Sequence, residues 1–124
     1  ALDLYLENCW DLPLLDNLRD YDEQRKANFM SPDLYVLFGS PRDGVVSPWT
    51  TAFFGQHGAS DREVLNYWER EDFNADLFGL KTMHNEGRIR TVETDFTHMD
   101  YMLPRAREYL MEHMIPWLDL DKKE

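Results

Sequence analysis

Two short segments of the chain have the hydrophobic pattern of β-strands. Residues 34–38, LYVLF, are five apolar residues in a row between the turn signals Ser-Pro-Asp and Gly-Ser-Pro. Residues 89–93, IRTVE, form a second and more polar run. Short uninterrupted apolar runs are typical of strands that a parallel sheet buries on both faces. We therefore expect the first strand inside such a sheet and the second nearer its edge.

Three segments between residues 47 and 114 have the pattern of helices. A Ser-Pro start at 47–48 predicts a helix that continues to Gly55, a natural C-terminal cap. Residues 73–85 have apolar side chains at three- and four-residue spacing and predict a second helix, which Gly79 weakens. Residues 103–114 predict a last helix with a proline in its first turn.

The other segments carry weaker patterns. Residues 1–30 predict an irregular start followed by a polar helix or loop, residues 57–61 and 94–99 predict loops, and residues 121–124 predict a frayed tail. The order is then strand, loop, helix, helix, strand, loop, helix, which indicates an α/β fold. Because two strands do not form a stable parallel sheet alone, this pattern calls for earlier strands that the 124 residues do not contain.

Composition limits the class of protein. The chain has 124 residues, of which 43% are hydrophobic and 14% aromatic, enough for one domain with a packed core. Its formal net charge of −11 repels phosphate backbones and anionic membrane surfaces, so nucleic acid is not an expected partner. One cysteine allows no internal disulfide, and no apolar run reaches the length of a transmembrane segment.

Asp43 and His98 come a few residues after the two predicted strands. Ligands of open α/β sheets bind at the carboxyl ends of the strands, and neighbouring parallel strands would bring these two loops together. An Asp followed by a His is the order of the last two members of the Ser…Asp…His triad of hydrolases. In that triad the acid holds the imidazole in one tautomer, and the imidazole accepts the proton of a serine hydroxyl.

Structural explanations stay open for both residues. Asp43 precedes Gly44, which is ordinary turn chemistry, and a lone histidine after a strand is more often a surface residue than a base. The other histidines are His57, His84 and His113, which lie in a polar loop or on predicted helices. No histidine has the spacing of a metal motif and the sequence has no glycine-rich phosphate loop, so neither a metal nor a cofactor is expected.

Several segments, in order along nearly the whole chain, resemble the palmitoyl-protein thioesterase family. The most specific is SPRDGVVSPWTTAFFGQ, residues 40–56, which resembles the segment that carries the family's catalytic Asp and is closest to its lysosomal thioesterase branch. HMDYM, residues 98–102, occupies the place of the catalytic His. The other matching segments are LDLYLENCW (2–10), RKANFMSPDLYVLFGSP (25–41), FGLKTMHNEGRI (78–89) and HMIPWLD (113–119).

The resemblance implies the α/β-hydrolase fold, with residues 1–124 as the C-terminal part of a single domain. That part would comprise the last two parallel strands and their flanking helices. The resemblance also implies that Asp43 is the triad acid and His98 the triad base. The implied reaction is hydrolysis of long-chain fatty acyl thioesters, on acyl-CoA or S-acylated cysteine. A lysosomal or secretory location follows from the resemblance alone.

The resemblance also suggests substrate-binding residues. Trp49, Phe53 and Phe54 match aromatic positions after the acid and could wall an acyl groove, although such residues on a short helix are also typical of a core. Met99, beside the base, would shape access to it.

The chain departs from the family pattern in one respect that bears on activity. It contains no G-x-S-x-G motif, and Ser40 precedes Pro41 rather than lying on a strand-to-helix elbow. The nucleophile is therefore expected on an upstream segment or a second chain, and this chain alone is expected to be inactive.

The alternative to an enzyme is a non-catalytic acidic module that binds a basic protein. Contact between His98 and Asp43 would favour the enzyme, whereas separated and solvated side chains would favour the module.

Overall fold

The computed structural model describes residues 2–60 and 62–118, which form short helices and strands joined by turns. The α-helices are α1 (Leu2–Asn8), α2 (Asp11–Leu15), α3 (Glu23–Phe29), α4 (Glu71–Ala75), α5 (Leu80–Asn85) and α6 (Pro104–Met114). The strands are β1 (Tyr35–Gly39), β2 (Gln56–His57), β3 (Val64–Leu65) and β4 (Ile89–Glu93). Single 3-10 turns cover Trp49–Phe53, Tyr67–Glu69, Asp100–Met102 and Ile115–Trp117.

β1 and β4 pair in parallel, as the sequence predicts. The register runs from Tyr35 opposite Ile89 to Gly39 opposite Glu93, and the strand bounds agree with the predicted ones to within one residue. The expectation that β1 is buried on both faces is wrong for the described residues, because its side chains before Gly39 are only half-buried. A two-stranded sheet has too few neighbours to cover both faces of an apolar strand.

The loop predicted at residues 57–61 begins instead with a strand of a small hairpin. Gln56 pairs with Leu65 and His57 with Val64 in an antiparallel register. The Glu63 carboxylate accepts the Ala59 N–H at 2.8 Å and so holds the connecting loop. Strands of two residues are too short to produce a detectable alternation of apolar and polar positions.

The helix predicted over residues 73–85 is divided into α4 and α5. Asp76 (φ 53°) and Gly79 (φ 97°) have left-handed backbone conformations, which a right-handed helix cannot include. The Asp76 carboxylate accepts the Thr82 hydroxyl at 2.7 Å and the Lys26 ammonium at 2.7 Å. These bonds hold the break in place and tie α3 to α5.

The helix predicted from the Ser-Pro pair is a single 3-10 turn, Trp49–Phe53. Pro48 has an extended backbone (ψ 146°), so the turn begins one residue later than expected. Phe54 is left-handed (φ 59°) and ends the turn before Gly55. The capping residues thus indicate the position of this segment correctly, but the helix that they predict is longer than the observed one.

The irregular start predicted for residues 1–30 contains three short helices, α1 to α3. The Asp22 carboxylate caps α3 by accepting the Gln24 N–H at 2.7 Å. The last helix, α6, agrees with prediction to within one residue. No helix among residues 2–60 and 62–118 has both the length and the apolar character needed to span a bilayer. The tail predicted at 121–124 lies outside the described residues.

The main core is an aromatic cluster beside β1. Tyr67, Phe73, Phe78 and Leu80 are buried, and three partly buried residues pack against them: Phe29, Phe54 and Ile89. This cluster connects α3, α4 and α5 to the sheet. The Trp49–Phe53 turn packs against the carboxyl end of β1, at Gly39.

Gly79 and Gly87 offer a matched test of the α5 boundaries. Both have positive φ angles, but a Cβ on Gly79 would lie 2.4 Å from Met30 Cγ, whereas a Cβ on Gly87 would meet nothing within 4 Å. We expect Gly87→Ala to lower the free energy of unfolding by about 1 kcal/mol through backbone strain. Gly79→Ala should cost about 2 kcal/mol or more because Met30 must also move. Denaturant unfolding checks both values, and equal losses would contradict the packing of Met30 on Gly79.

Candidate active site

The loops after β1 and β4 leave the sheet at the same edge. The Thr94 N–H donates to the Gly39 carbonyl at 2.8 Å and extends the parallel hydrogen-bond ladder by one step beyond the strands. Arg42 and Asp95 also face each other across the two loops at 3.8 Å, but both are exposed and contribute little stability. The backbone therefore fixes where both loops begin.

Asp43 and His98 meet in the space between these loops. His98 Nδ1 lies 2.9 Å from Asp43 Oδ2, although the two residues are 55 positions apart in sequence. The Asp43 side chain is 14% exposed and the His98 side chain 44% exposed. The carboxylate is thus largely covered while the imidazole remains open to a reactant. The contact is the one that the sequence predicts for a hydrolase.

The other oxygen of Asp43 is held by its own loop. Oδ1 accepts the Val45 N–H at 2.9 Å and the Val46 N–H at 3.0 Å, so both carboxylate oxygens have donors. The Val46 N–H, then His98, then the Val45 N–H lower the pKa of Asp43 from 3.8 to about 2, because each donor stabilises the ionised form. Asp43 is therefore a carboxylate at any pH well above 2.

This ionisation fixes the tautomer of neutral His98. A carboxylate can only accept hydrogen bonds, so in the 2.9 Å contact His98 Nδ1 carries the proton and donates it to Asp43. The lone pair of the neutral ring is then on Nε2, the nitrogen that Asp43 does not occupy. An imidazole held in this way can accept a proton at Nε2 and be stabilised as imidazolium by the carboxylate behind it.

The turn that carries His98 is closed by Asp100. The Asp100 carboxylate accepts the Thr97 N–H at 2.7 Å, and the Asp100 N–H donates back to the Thr97 carbonyl at 3.0 Å. Arg105 donates to the same carboxylate oxygen at 2.7 Å. The Thr97 N–H is the main reason that the pKa of Asp100 lies below its ordinary value. His98 and Met99 lie between these two ends.

A second contact joins this turn to the sheet. The Tyr101 and Thr94 hydroxyls lie 2.7 Å apart, and Thr94 is buried at the end of β4. The Tyr101 ring packs edge-on against the buried Phe96, with 5.4 Å between the ring centroids. The residues on both sides of His98 are thus anchored.

A cavity of about 270 Å³ lies beside Asp43. It forms where the Trp49–Phe53 turn packs on the end of β1. Gly39 allows this approach, because a Cβ there would lie 3.0 Å from Phe53 Cζ. The lining combines apolar and polar side chains: Phe38, Val46, Trp49 and Ala52 with Ser40, Asp43, Thr51 and Tyr101.

The predicted substrate-binding residues are divided between this cavity and other places. Trp49 lines the cavity, and Phe53 packs edge-on against it with 5.6 Å between the ring centroids. Phe54 is instead in the aromatic core, 5.9 Å from the Phe29 ring, because its left-handed backbone directs it away from the turn. Met99 is 59% exposed next to His98 and outside the cavity lining.

Ser40 is close to Asp43 in sequence but has a structural role. It is 2% exposed, and its hydroxyl oxygen accepts the Arg42 N–H at 3.1 Å. The Ser40 carbonyl also accepts the Asp43 N–H at 3.1 Å. Ser40 therefore shapes the turn that presents Asp43, which agrees with its exclusion as a nucleophile.

A larger cavity of about 810 Å³ lies between the N-terminal helices and the hairpin, and neither Asp43 nor His98 lines it. Two pairs of its titratable groups are in contact, whereas the buried Nδ1 of His57 has no hydrogen-bond partner among the described residues. Tyr5 donates to Asp16 at 3.0 Å, and burial, reinforced by that carboxylate, raises the pKa of Tyr5. Arg70 makes two contacts with the buried Asp72. We place the candidate chemistry at the smaller cavity because Asp43 lines it and contacts His98.

Sequence reasoning missed Thr94, Asp100 and Tyr101. The Thr-x-x-Asp spacing of residues 97–100 is a recognisable turn signal, whereas nothing in the sequence pairs the Thr94 and Tyr101 hydroxyls. Within the part of the chain that the structure describes, no group of three His, Cys, Asp or Glu side chains could hold a metal ion.

Comparison with known proteins gives a consistent set of relatives. The family model described as palmitoyl protein thioesterase matches residues 1–98, which include both Asp43 and His98. The lysosomal thioesterase PPT2 of Mus musculus is 38% identical over 89 residues, 70% of this chain and 29% of that protein. The lysosomal thioesterase PPT2 of Homo sapiens is 34% identical over 119 residues, 94% of this chain and 38% of that protein.

The Drosophila melanogaster homolog of lysosomal thioesterase PPT2 is more distant, at 28% identity over 119 residues. The match covers 94% of this chain and 41% of that protein. The chain thus spans between 29% and 41% of the length of these curated relatives.

The pKa of Asp43 tests the contact with His98 directly. We expect the Asp43 carboxyl ¹³C shift to titrate with a pKa of about 2. In His98→Ala the pKa should rise but stay below 3.8, because the Val45 and Val46 N–H groups still donate. Since the folded-state pKa is depressed, these bonds stabilise the fold above pH 3.8 and are lost as the pH falls through about 2.

His113→Ala is the control for this titration, because it removes an imidazole from α6 and should leave the Asp43 pKa unchanged. An Asp43 pKa that is the same in the wild-type protein and in His98→Ala would show that the two side chains are not in contact in solution.

Proposed function

The chain belongs to the palmitoyl protein thioesterase family, and on that premise we propose that it supplies the acid, Asp43, and the base, His98, of a serine acyl-thioesterase. The substrate class is a long-chain fatty acyl thioester, on acyl-CoA or on S-acylated cysteine. The observation that carries the proposal is the 2.9 Å hydrogen bond between His98 Nδ1 and Asp43 Oδ2.

The arrangement of the pair fits the needs of base catalysis. Asp43 is ionised and held by three donors, so it keeps the proton of neutral His98 on Nδ1. Nε2 is then the basic nitrogen, and the ring that carries it is accessible. A serine hydroxyl within hydrogen-bond reach of Nε2 would lose its proton to His98 as its oxygen attacks the thioester carbonyl carbon.

The reaction then proceeds in two halves that use His98 in both directions. The first tetrahedral intermediate collapses, the carbon–sulfur bond breaks, and His98 gives its proton to the leaving thiolate. Water attacks the acyl-enzyme and gives a proton to Nε2. When this second intermediate collapses, that proton returns to the serine oxygen and the fatty acid leaves. His98 ends each cycle neutral, and the reaction consumes only the thioester and one water molecule.

The nucleophile and the oxyanion donors belong, in this proposal, to sequence outside these 124 residues. The chain covers less than half of each relative compared above, and it has no G-x-S-x-G motif. We assign residues 1–124 to the C-terminal part of one α/β-hydrolase domain that shares its sheet with the missing strands. The activity needs that remainder, on the same chain or a second one. The similarity to lysosomal thioesterases suggests a lysosomal location.

The cavity beside Asp43 is the candidate position for the first part of the acyl chain. Trp49 and Val46 supply apolar surface within the same cavity that contains the Asp43 carboxyl. Met99 is exposed on the turn that carries His98 and would contact the substrate as it approaches. Phe53 acts through Trp49 by fixing its ring, and Phe54 supports the core.

A non-catalytic acidic module gives no reason for the contact. Such a module would leave Asp43 and His98 as solvated surface side chains, yet both carboxylate oxygens have donors and the imidazole is tied to one of them. The enzyme therefore explains more of the geometry than the module does.

Asp43→Asn in the full-length protein that carries this chain tests the acid role. The amide would hold the wrong imidazole tautomer, so we expect kcat for a palmitoyl thioester to fall by about three to four orders of magnitude. His98→Ala should cost a similar factor. Steady-state hydrolysis with a thiol-detecting reagent measures both.

Asp33→Asn is the matched control. Asp33 is exposed and precedes the first residue of β1, at the end of the strand away from Asp43. This substitution should leave kcat unchanged. Turnover of the Asp43→Asn enzyme within tenfold of wild type would rule out the acid role.

Trp49→Ala tests the acyl position. Removing an indole that lines the cavity should lower kcat/KM for a long-chain thioester by about tenfold relative to a short-chain one, because only the long chain loses apolar contact. Trp68→Ala removes an exposed indole that does not line the cavity and should leave the ratio unchanged. An unaltered ratio in Trp49→Ala would exclude Trp49 from the acyl site.

A further inference from the structure

We propose that Asp100 is a positioning residue for His98, holding the turn on which the imidazole is carried so that Nδ1 stays on Asp43. The inference rests on the proposed function, because positioning matters only if His98 is the base. The spacing of Thr97 and Asp100 indicates a turn, but it does not connect Asp100 with the base, and the match to the family model ends at His98.

The contacts of Asp100 act on both ends of a short segment. Its carboxylate accepts the Thr97 N–H at 2.7 Å and its own N–H donates to the Thr97 carbonyl at 3.0 Å. Only His98 and Met99 lie between these two residues, so the two bonds define the backbone path of the turn. A change in that path would rotate the imidazole away from Asp43, since no other side-chain hydrogen bond is found for His98 among the described residues.

The surroundings of Asp100 keep its carboxylate in one place. The Asp100 side chain is 13% exposed, and Arg105 donates to the same oxygen that accepts the Thr97 N–H. The Arg105 guanidinium lies over the ring of the buried Phe96, 5.2 Å from its centroid. Arg105 thus connects the Asp100 carboxylate to the first turn of α6 and to the buried Phe96.

Asp22 provides a matched comparison within the same chain. Its carboxylate accepts one backbone N–H at 2.7 Å, that of Gln24, and faces an arginine, Arg25, at 3.7 Å. It caps α3 and makes no contact with the turn of His98. Loss of either carboxylate removes one bond from a backbone N–H and one ion pair, but only the loss of Asp100 should disturb the imidazole.

The test compares Asp100→Ala, Asp100→Asn and Asp22→Ala in the full-length protein. Because a displacement of about 1 Å can cost up to 100-fold in rate, we expect Asp100→Ala to lower kcat for a palmitoyl thioester by about tenfold or more, with KM changed less than twofold. Asp100→Asn keeps an acceptor for the Thr97 N–H and should restore most of kcat. Asp22→Ala should keep wild-type kcat.

The ¹⁵N shifts of the His98 imidazole provide a readout that does not depend on turnover. In the wild-type protein they should show the proton on Nδ1, and in Asp100→Ala a mixture of tautomers. Wild-type shifts and kcat in Asp100→Ala would overturn the inference. If Asp100→Ala does not fold, Asp100→Glu keeps the charge but displaces the acceptor, and a several-fold loss of kcat supports the inference while an unchanged kcat overturns it.

Failure of the proposed function gives a different result. An active wild-type protein whose Asp43→Asn variant is also active would remove the acid role of Asp43. A normal Asp100→Ala variant beside an inactive Asp43→Asn variant would remove only the positioning role of Asp100.

Discussion

The parallel pairing of β1 and β4 is the constraint on which the candidate site depends. Parallel strands that end in register release their loops at one edge of the sheet, and the bond from the Thr94 N–H to the Gly39 carbonyl extends that register past both strands. A separation of 55 residues is reduced in this way to one hydrogen bond between Asp43 and His98. The pairing of the two strands therefore determines that Asp43 and His98 lie close together, and the loops determine only their detailed orientation.

Local hydrogen bonds then determine the ionisation of Asp43 and the tautomer of neutral His98. The Val45 and Val46 N–H groups orient the Asp43 carboxylate and help to keep it ionised. An ionised carboxylate determines which nitrogen of a neutral imidazole carries the proton. Backbone donors thus hold Asp43, and the bonds between Thr97 and Asp100 close the turn that carries His98, so little conformational freedom remains to be lost when a substrate binds.

Several apolar surfaces of the described residues are not covered by other parts of the fold. β1 is an apolar strand whose side chains before Gly39 are only half-buried, and a sheet of two parallel strands offers little cover. Exposed apolar side chains are also frequent on α6 and the turn after it, among them Met111, Ile115 and Trp117. These surfaces agree with the proposal that the sheet continues into further strands, which would also carry the serine.

Residues 34–38 and 89–93 were sufficient to predict the two strands, because short runs rich in apolar and β-branched residues between turn signals favour a strand even where it is only half-buried. The meeting of Asp43 and His98 was predicted because each follows the carboxyl end of one of two neighbouring parallel strands. Gly79 marked a weak point in the predicted helix, but the break at Asp76 was missed because its contact with Lys26 joins residues distant in sequence. The placement of Phe54 in the core and of Asp100 behind His98 likewise depends on backbone direction in three dimensions. Hydrophobic pattern encodes which segments are buried, whereas side-chain partners distant in sequence are chosen by the packed backbone.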